Sequence, residues 1–338
     1  MKVLITGGTG FIGSQLAARC LKRQDQVVVL GRENTEAEKQ NRKMVEDLGA
    51  TVVPGSVTNK ELLAEAVKDV DTVFHLAAAQ HEANIPDQVF HDVNVKGTQN
   101  MLDASIGAGV KRFVYGGTIG VYGNREGFID ESTPPDPDNI YGKTKLEAEK
   151  LVLSYNDRIP VVAIRISETY GPGDSRLLKL FRAIAGKKFF KIGPGKNLHQ
   201  LIYIDDLIDG MLEAAENDTA TGEIILLVGS DQVTTDQMID TIAECLNVRV
   251  PNFRAPLFIF DAVAAAMEIT LKPMGIQPPL HRRRMDFFKK SFSFSNSKAQ
   301  QLLDFTPAYD FKSGVPATAA WYRENSLLAD KENSSCHK

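Results

Sequence analysis

Val3-Leu4-Ile5-Thr6-Gly7-Gly8-Thr9-Gly10-Phe11-Ile12-Gly13 is the stretch that decides the fold. A short apolar run ends in a glycine cluster, and helical spacing then starts with Phe11, Ile12, Leu16 and Cys20. Gly7, Gly10 and Gly13 sit three residues apart. Glycine at such positions allows a tight turn and lets backbone approach a pyrophosphate. The free N–H groups and positive end of the following helix add a site for an anion. The strand–loop–helix context is what this mechanism requires.

Outward from this loop the same rhythm repeats. Apolar runs recur at 27–30, 51–53, 73–76, 112–115, 161–164 and 223–228. Helical stretches intervene at about 36–48, with Thr35 as N-cap, and at about 88–107. Strands without alternation of polar residues indicate a parallel sheet covered on both faces. The fold class expected is α/β, a Rossmann-type doubly wound parallel sheet with a smaller, discontinuous C-terminal substrate domain. Residues 1–167 are assigned to the dinucleotide-binding domain, with 197–228 returning to it. Residues 168–196 and 229–330 form the substrate domain, and 331–338 a flexible tail.

The composition narrows the function. The 338 residues carry 39 Lys+Arg against 43 Asp+Glu, a net charge of −4, which gives no support to a nucleic-acid partner. Three cysteines, Cys20, Cys245 and Cys336, are odd in number and far apart. They suit neither a disulfide framework nor a metal site, and a reducing, cytoplasmic setting is the simpler reading. No metal is expected. The start of the chain leaves no room for a signal peptide. The longest apolar stretch, 257–271, is interrupted by Asp261 and Glu268 and is too short to span a membrane. It reads as a buried or interfacial helix.

Tyr141 and Lys145 open another helical stretch, with Asp138 or Asn139 as N-cap. Four residues apart, they share a helix face. A phenol is a poor base at its free pKa of about 10. A neighbouring ammonium favours the phenolate, so Tyr141 is suited to exchange a proton with a substrate hydroxyl. Thr118 follows the fifth strand, where a hydroxyl can touch both a substrate oxygen and Tyr141. At the end of the second strand, Gly31 stands where an acid would bind an NAD ribose. Arg32 there suits a 2′-phosphate, so the cofactor is NAD or NADP.

These blocks, together with His75-Leu76-Ala77-Ala78, Asn94 with Gly97-Thr98, Arg165 with Tyr170-Gly171-Pro172-Gly173, and Tyr203-Ile204-Asp205-Asp206, resemble the extended short-chain dehydrogenase/reductases, often called the NAD-dependent epimerase/dehydratase family. The resemblance covers nearly the whole chain. It implies that Tyr141 is the general acid/base, that Lys145 holds Tyr141 and the nicotinamide ribose, and that Thr118 orients the substrate. It implies cofactor contacts from Gly7, Gly10, Phe11, Ile12, Gly13, Arg32, Ser56, Val57, Leu76, Ala77, Ala78 and Asn94. It also implies a homodimer.

Departures from the family pattern narrow the activity. Ile119 and Gly120 replace the acidic pair of family dehydratases, which disfavours water elimination. Glu168 stands where sugar-nucleotide members carry a diphosphate-binding Asn, and His199 where they carry an Arg. Arg284 sits where a further diphosphate-binding Arg is expected, and His81 is a candidate substrate contact. The leading expectation is an NAD(P)-dependent redox enzyme on a secondary alcohol, a nucleotide-sugar 4-epimerase passing through a transient 4-keto sugar, or a related reductase. The alternative is a 3β-hydroxysteroid-dehydrogenase-like oxidoreductase on an apolar alcohol, which the segment 256–279 also resembles. A cofactor-bound sensor without turnover is a minor third reading.

Overall fold

A computed structural model describes residues 1–80, 85–187, 189–271 and 285–328. Seven strands form one sheet in the order Ile224–Leu227, Val161–Ile166, Arg112–Gly116, Thr72–His75, Lys2–Thr6, Gln26–Gly31, Thr51–Pro54. Every neighbouring pair is parallel. Strand order reverses on either side of Lys2–Thr6, so a crevice opens above its C-terminal end. The Gly-rich turn leaves the sheet at that point.

The apolar runs read from the sequence are apolar because both faces are covered. Val3 and Ile5 enter one core and Leu4 the other. Val27 and Val29 alternate with Val28 and Leu30 in the same way, as do Val162 and Ile164 with Val161 and Ala163. Thr35 caps the Glu36–Asp47 helix through a capping box with Glu38. The helix expected over 88–107 starts at Asp87, passes through a π-helical turn, His91–Lys96, and continues as Gly97–Ala108. Gly109, left-handed at φ 72°, ends it.

Past the sheet, two-stranded pieces tie distant segments together. Thr169–Tyr170 pairs with Ile202–Tyr203, and Leu198–His199 with Val233–Thr234. Tyr170 packs against Tyr203 and Phe311 and donates to the Asp310 carbonyl at 3.0 Å. Cys20 is buried and Cys245 half-buried, both as free thiols.

Leu257–Leu271, expected as a buried or interfacial helix, is a helix in which Ala264 is the only buried residue. Among the described residues, no helix is long and apolar enough to cross a membrane.

Candidate active site

The Gly-rich turn is held shut by contacts that a side chain would break. Gly7 has φ +71°, and a Cβ there would lie 2.8 Å from the Ala77 backbone nitrogen. A Cβ on Gly13 would collide with the Gly7 carbonyl. The helix Phe11–Lys22 begins with no side-chain cap and no acidic residue in its first turn. Its leading N–H groups and dipole are therefore left for an anion. This fits the pyrophosphate of a dinucleotide.

Around the turn, Leu76 donates its N–H to the Thr6 carbonyl at 3.1 Å, and Ala77 donates to Thr6 Oγ1 at 3.2 Å. Leu76, Ala77 and Ala78 thus line the crevice edge beside Gly7. His75 is buried, with Nδ1 2.8 Å from Thr6 Oγ1 and Nε2 3.0 Å from Thr98 Oγ1. Burial, helped by the Lys145 charge, lowers its pKa to about 3, so it is a neutral strut.

Asn94, expected at the cofactor, is buried in a hydrogen-bond network of its own. Its Oδ1 accepts from Ala79 N–H at 2.7 Å, and its Nδ2 donates to the Ala79 carbonyl and to Thr144 Oγ1. Both amide hydrogens are used within the chain, so Asn94 ties the crevice loop to the helix that carries Tyr141. Ser56 accepts from the amide and hydroxyl of Thr58, and Val57 is buried against Gly97. Both act locally in the turn after the third strand.

The ribose end explains itself sterically. A Cβ on Gly31 would collide with the Thr9 side chain, which donates to the Arg32 carbonyl at 2.8 Å. An acid at that position is excluded while Thr9 is present. Glu33, two residues beyond Gly31, is paired with Arg42. Arg32 is half-exposed at the strand end.

Asn139 caps the Ile140–Leu153 helix, accepting from Gly142 N–H at 3.0 Å. Lys145 lies one turn beyond Tyr141 and is 2% exposed. Its Nζ donates to the Gly116 carbonyl at 2.6 Å and sits 4.2 Å from the centre of the Tyr115 ring. Burial lowers its pKa to about 7, opposed by the charge of Glu149. Thr118 Oγ1 accepts from Gly120 N–H at 3.0 Å, which leaves its own hydrogen to donate. A Cβ built on Gly120 would lie 3.3 Å from Thr118 Oγ1 and 3.9 Å from the Tyr141 ring. The two side chains therefore flank one glycine at the crevice.

One stabilising pair was not legible as such. Glu149 accepts two hydrogen bonds from Arg165, at 2.7 and 3.0 Å, with both side chains buried. Arg165 also donates to the Tyr122 hydroxyl at 2.6 Å. This clamp fixes the Tyr141 helix to the Val161–Ile166 strand. The available signal was a lone Arg in an apolar strand, together with Glu four residues after Lys145.

On the substrate side, His199 Nδ1 lies 3.6 Å from Glu168 Oε2. Asn197 gives its amide hydrogens to the carbonyls of Phe287 and Lys290, and Thr235 gives its hydroxyl hydrogen to Asn197 Oδ1. His199 Nε2 lies 2.9 Å from Thr235 Oγ1 and 3.1 Å from Asn197 Nδ2, and Nδ1 faces the carboxylate. Phe287 packs on the imidazole at 4.6 Å. His81 and Arg284 lie outside the described residues.

Residues 3–229 match the model of the NAD-dependent epimerase/dehydratase family. The chain is 25% identical to the N-acetyl-alpha-D-glucosaminyl-diphospho-ditrans,octacis-undecaprenol 4-epimerase of Escherichia coli O157:H7, covering 94% of this chain and 93% of that one. It is 26% identical to 3beta-hydroxysteroid-dehydrogenase/decarboxylase isoform 2 of Arabidopsis thaliana, over 93% of this chain but 61% of the plant protein. The crystal structure of UDP-glucuronic acid 4-epimerase from Bacillus cereus in complex with NAD superposes with a TM-score of 0.79 at 25% identity, covering 96% of this chain and 99% of that one. The chain belongs to the NAD-dependent epimerase/dehydratase family and is an NAD-dependent enzyme of the extended short-chain dehydrogenase/reductase type.

Proposed function

We propose that the chain is a nucleotide-sugar 4-epimerase, with Thr118, Tyr141 and Lys145 as its proton-handling set. The observation that carries this is the buried Lys145 ammonium, one helical turn from Tyr141 and hydrogen-bonded to the Gly116 carbonyl at the end of the Arg112–Gly116 strand. Bound NAD supplies a hydride acceptor that later returns the hydride. Tyr141 takes the proton of the sugar hydroxyl, and the Lys145 charge favours its phenolate. Thr118 donates to the same oxygen and holds it in place. Tyr141 gives the proton back once the sugar has turned over. Ile119 and Gly120 offer no acid or base for a competing elimination. The Escherichia coli and Bacillus cereus relatives are 4-epimerases, which supports inversion at C4.

A second reading, oxidation of an apolar secondary alcohol, is favoured by Glu168. A carboxylate where a diphosphate would lie costs Coulomb energy unless a cation faces it, and the imidazole of His199 lies 3.6 Å from it. The Arabidopsis thaliana relative, a 3beta-hydroxysteroid-dehydrogenase/decarboxylase, supports the same reading. In either reading we place the substrate against segments 168–196 and 229–330, in a cytoplasmic homodimer.

The test is proton NMR of UDP-glucose and UDP-glucuronic acid incubated with enzyme and NAD. Inversion at C4 is expected, with Tyr141→Phe slower by about 10²–10⁴-fold. No inversion, together with NADH formation from a 3β-hydroxysteroid, would replace the first reading with the second.

A further inference from the structure

The Leu257–Leu271 helix is apolar on all sides, and one of those sides is exposed. Its solvent-facing residues are Phe258, Ile259, Ala262, Val263, Ala266 and Ile269, spaced at helical intervals on one stripe. Phe258 is 71% and Ile269 73% exposed. Thr270, beside the stripe, turns its hydroxyl into the helix and donates to the Ala266 carbonyl at 2.9 Å. The charged residues, Asp261 and Glu268, are half-buried, as are Leu257, Phe260, Ala265, Met267 and Leu271, and Asp261 is paired with Lys289 from the body of the protein. Just before the helix, exposed Phe253 packs edge-on against Phe190 at 6.0 Å, and Phe190 contacts Phe260 at 6.1 Å. Scattered surface apolar residues need no explanation, but a contiguous stripe does.

We propose that this stripe docks the enzyme on a lipid bilayer, with the helix lying in the plane of the interface. Length and area select this occupant over a second copy of the chain. From Phe258 to Ile269 the stripe runs about 17 Å and is about 10 Å wide. A stable protein–protein interface needs about 800 Å² per partner, several times that footprint. A helix of 15 residues is too short to span a hydrocarbon core of about 30 Å but suits shallow insertion. Exposed Lys187 and Arg249, three and four residues from Phe190 and Phe253, provide cations for headgroup phosphates.

The docking stripe is joined to the crevice by one short segment. Lys289 holds Asp261 of the helix, while Phe287, two residues earlier, packs on His199 beside Glu168. A bilayer under the helix therefore lies next to the substrate end of the site. The docking itself rests on exposure and pattern, and it stands whichever substrate the enzyme takes.

The experiment is flotation of the whole chain with vesicles of phosphatidylcholine, alone or with phosphatidylglycerol. Wild-type protein is expected to float with both, more strongly with the anionic lipid. Phe258→Gln/Ile269→Gln should lower the partition at least about 10-fold, or about 1.4 kcal/mol, with an unchanged circular dichroism melt. Should that variant fold poorly, Phe258→Trp replaces it, and its added indole emission should shift to the blue on mixing with vesicles. Wild-type protein that stays unbound, equal flotation of the folded double variant, or an unshifted added emission from Phe258→Trp overturns the proposal. So does a dimer, seen by light scattering, that the double variant dissolves.

Discussion

Replacing Lys145 by Met should separate stability from function, because the buried ammonium stresses the cofactor-free fold. Its pKa falls from 10.5 to about 7, chiefly through burial, with Glu149 opposing. At 1.36 kcal/mol per pH unit this is about 5 kcal/mol held against the charged form, before the Gly116 hydrogen bond is counted in its favour. Between pH 7 and 10.5 the unfolded chain keeps a proton that the native chain has released. Native stability therefore rises with pH across that window and is lowest below it. From about pH 6 to about pH 9 the gain is about 3 kcal/mol. At about 2.1 cal/mol/K per residue, a chain of 338 residues converts this to about 4 °C in melting temperature. Met keeps most of the volume and has no proton to exchange. The assay is thermal unfolding of cofactor-free wild type and Lys145→Met at both pH values and matched ionic strength. The variant should melt at or above wild type at the lower pH, and its advantage should shrink by about 4 °C at the higher pH. Turnover should be lost throughout. Parallel pH dependence in the two proteins would show that Lys145 is not the titrating group and refute the reasoning.

Other positions make sharper local tests. Glu149→Leu strands the buried Arg165 and should cost about 3–5 kcal/mol; Glu149→Leu/Arg165→Met should recover most of it in the same denaturant titration. Gly31→Asp places the ribose-binding acid that the family favours, but its Cβ collides with Thr9. It should destabilise by about 1–3 kcal/mol, and Thr9→Gly in the same chain should restore stability and tighten NAD in a calorimetric titration. Glu168→Asn should tighten binding of a diphosphate sugar, read as a lower KM with little change in kcat; an unchanged KM would remove Glu168 from the substrate subsite.

What the sequence disclosed is what local pattern can encode. The Gly7–Gly10–Gly13 turn, the two-faced strands and the Tyr141/Lys145 spacing each rest on neighbours within a few residues, and the structure places them as read. The contacts that were not legible join residues far apart in sequence. Glu149 and Arg165 are 16 residues apart, and no periodicity links a helix residue to one in a buried strand. Gly31 read as a missing acid, and only its packing on Thr9 shows why nothing larger fits. The π turn that points Asn94 at Ala79 and Thr144 leaves no mark in the sequence. The helix at 257–271 was expected to be buried or interfacial, and which of the two holds depends on packing that its own apolar residues do not encode; its stripe faces outward.

The most direct test of the central claim is to denature the purified protein and quantify the nicotinamide dinucleotide released. An epimerase returns its hydride and has no need to exchange cofactor, so the account predicts close to one NAD per chain, retained through purification. A protein that releases none, yet turns over ketones or alcohols when NADH or NADPH is supplied, would contradict the epimerase reading and leave a dehydrogenase that exchanges cofactor at every turnover.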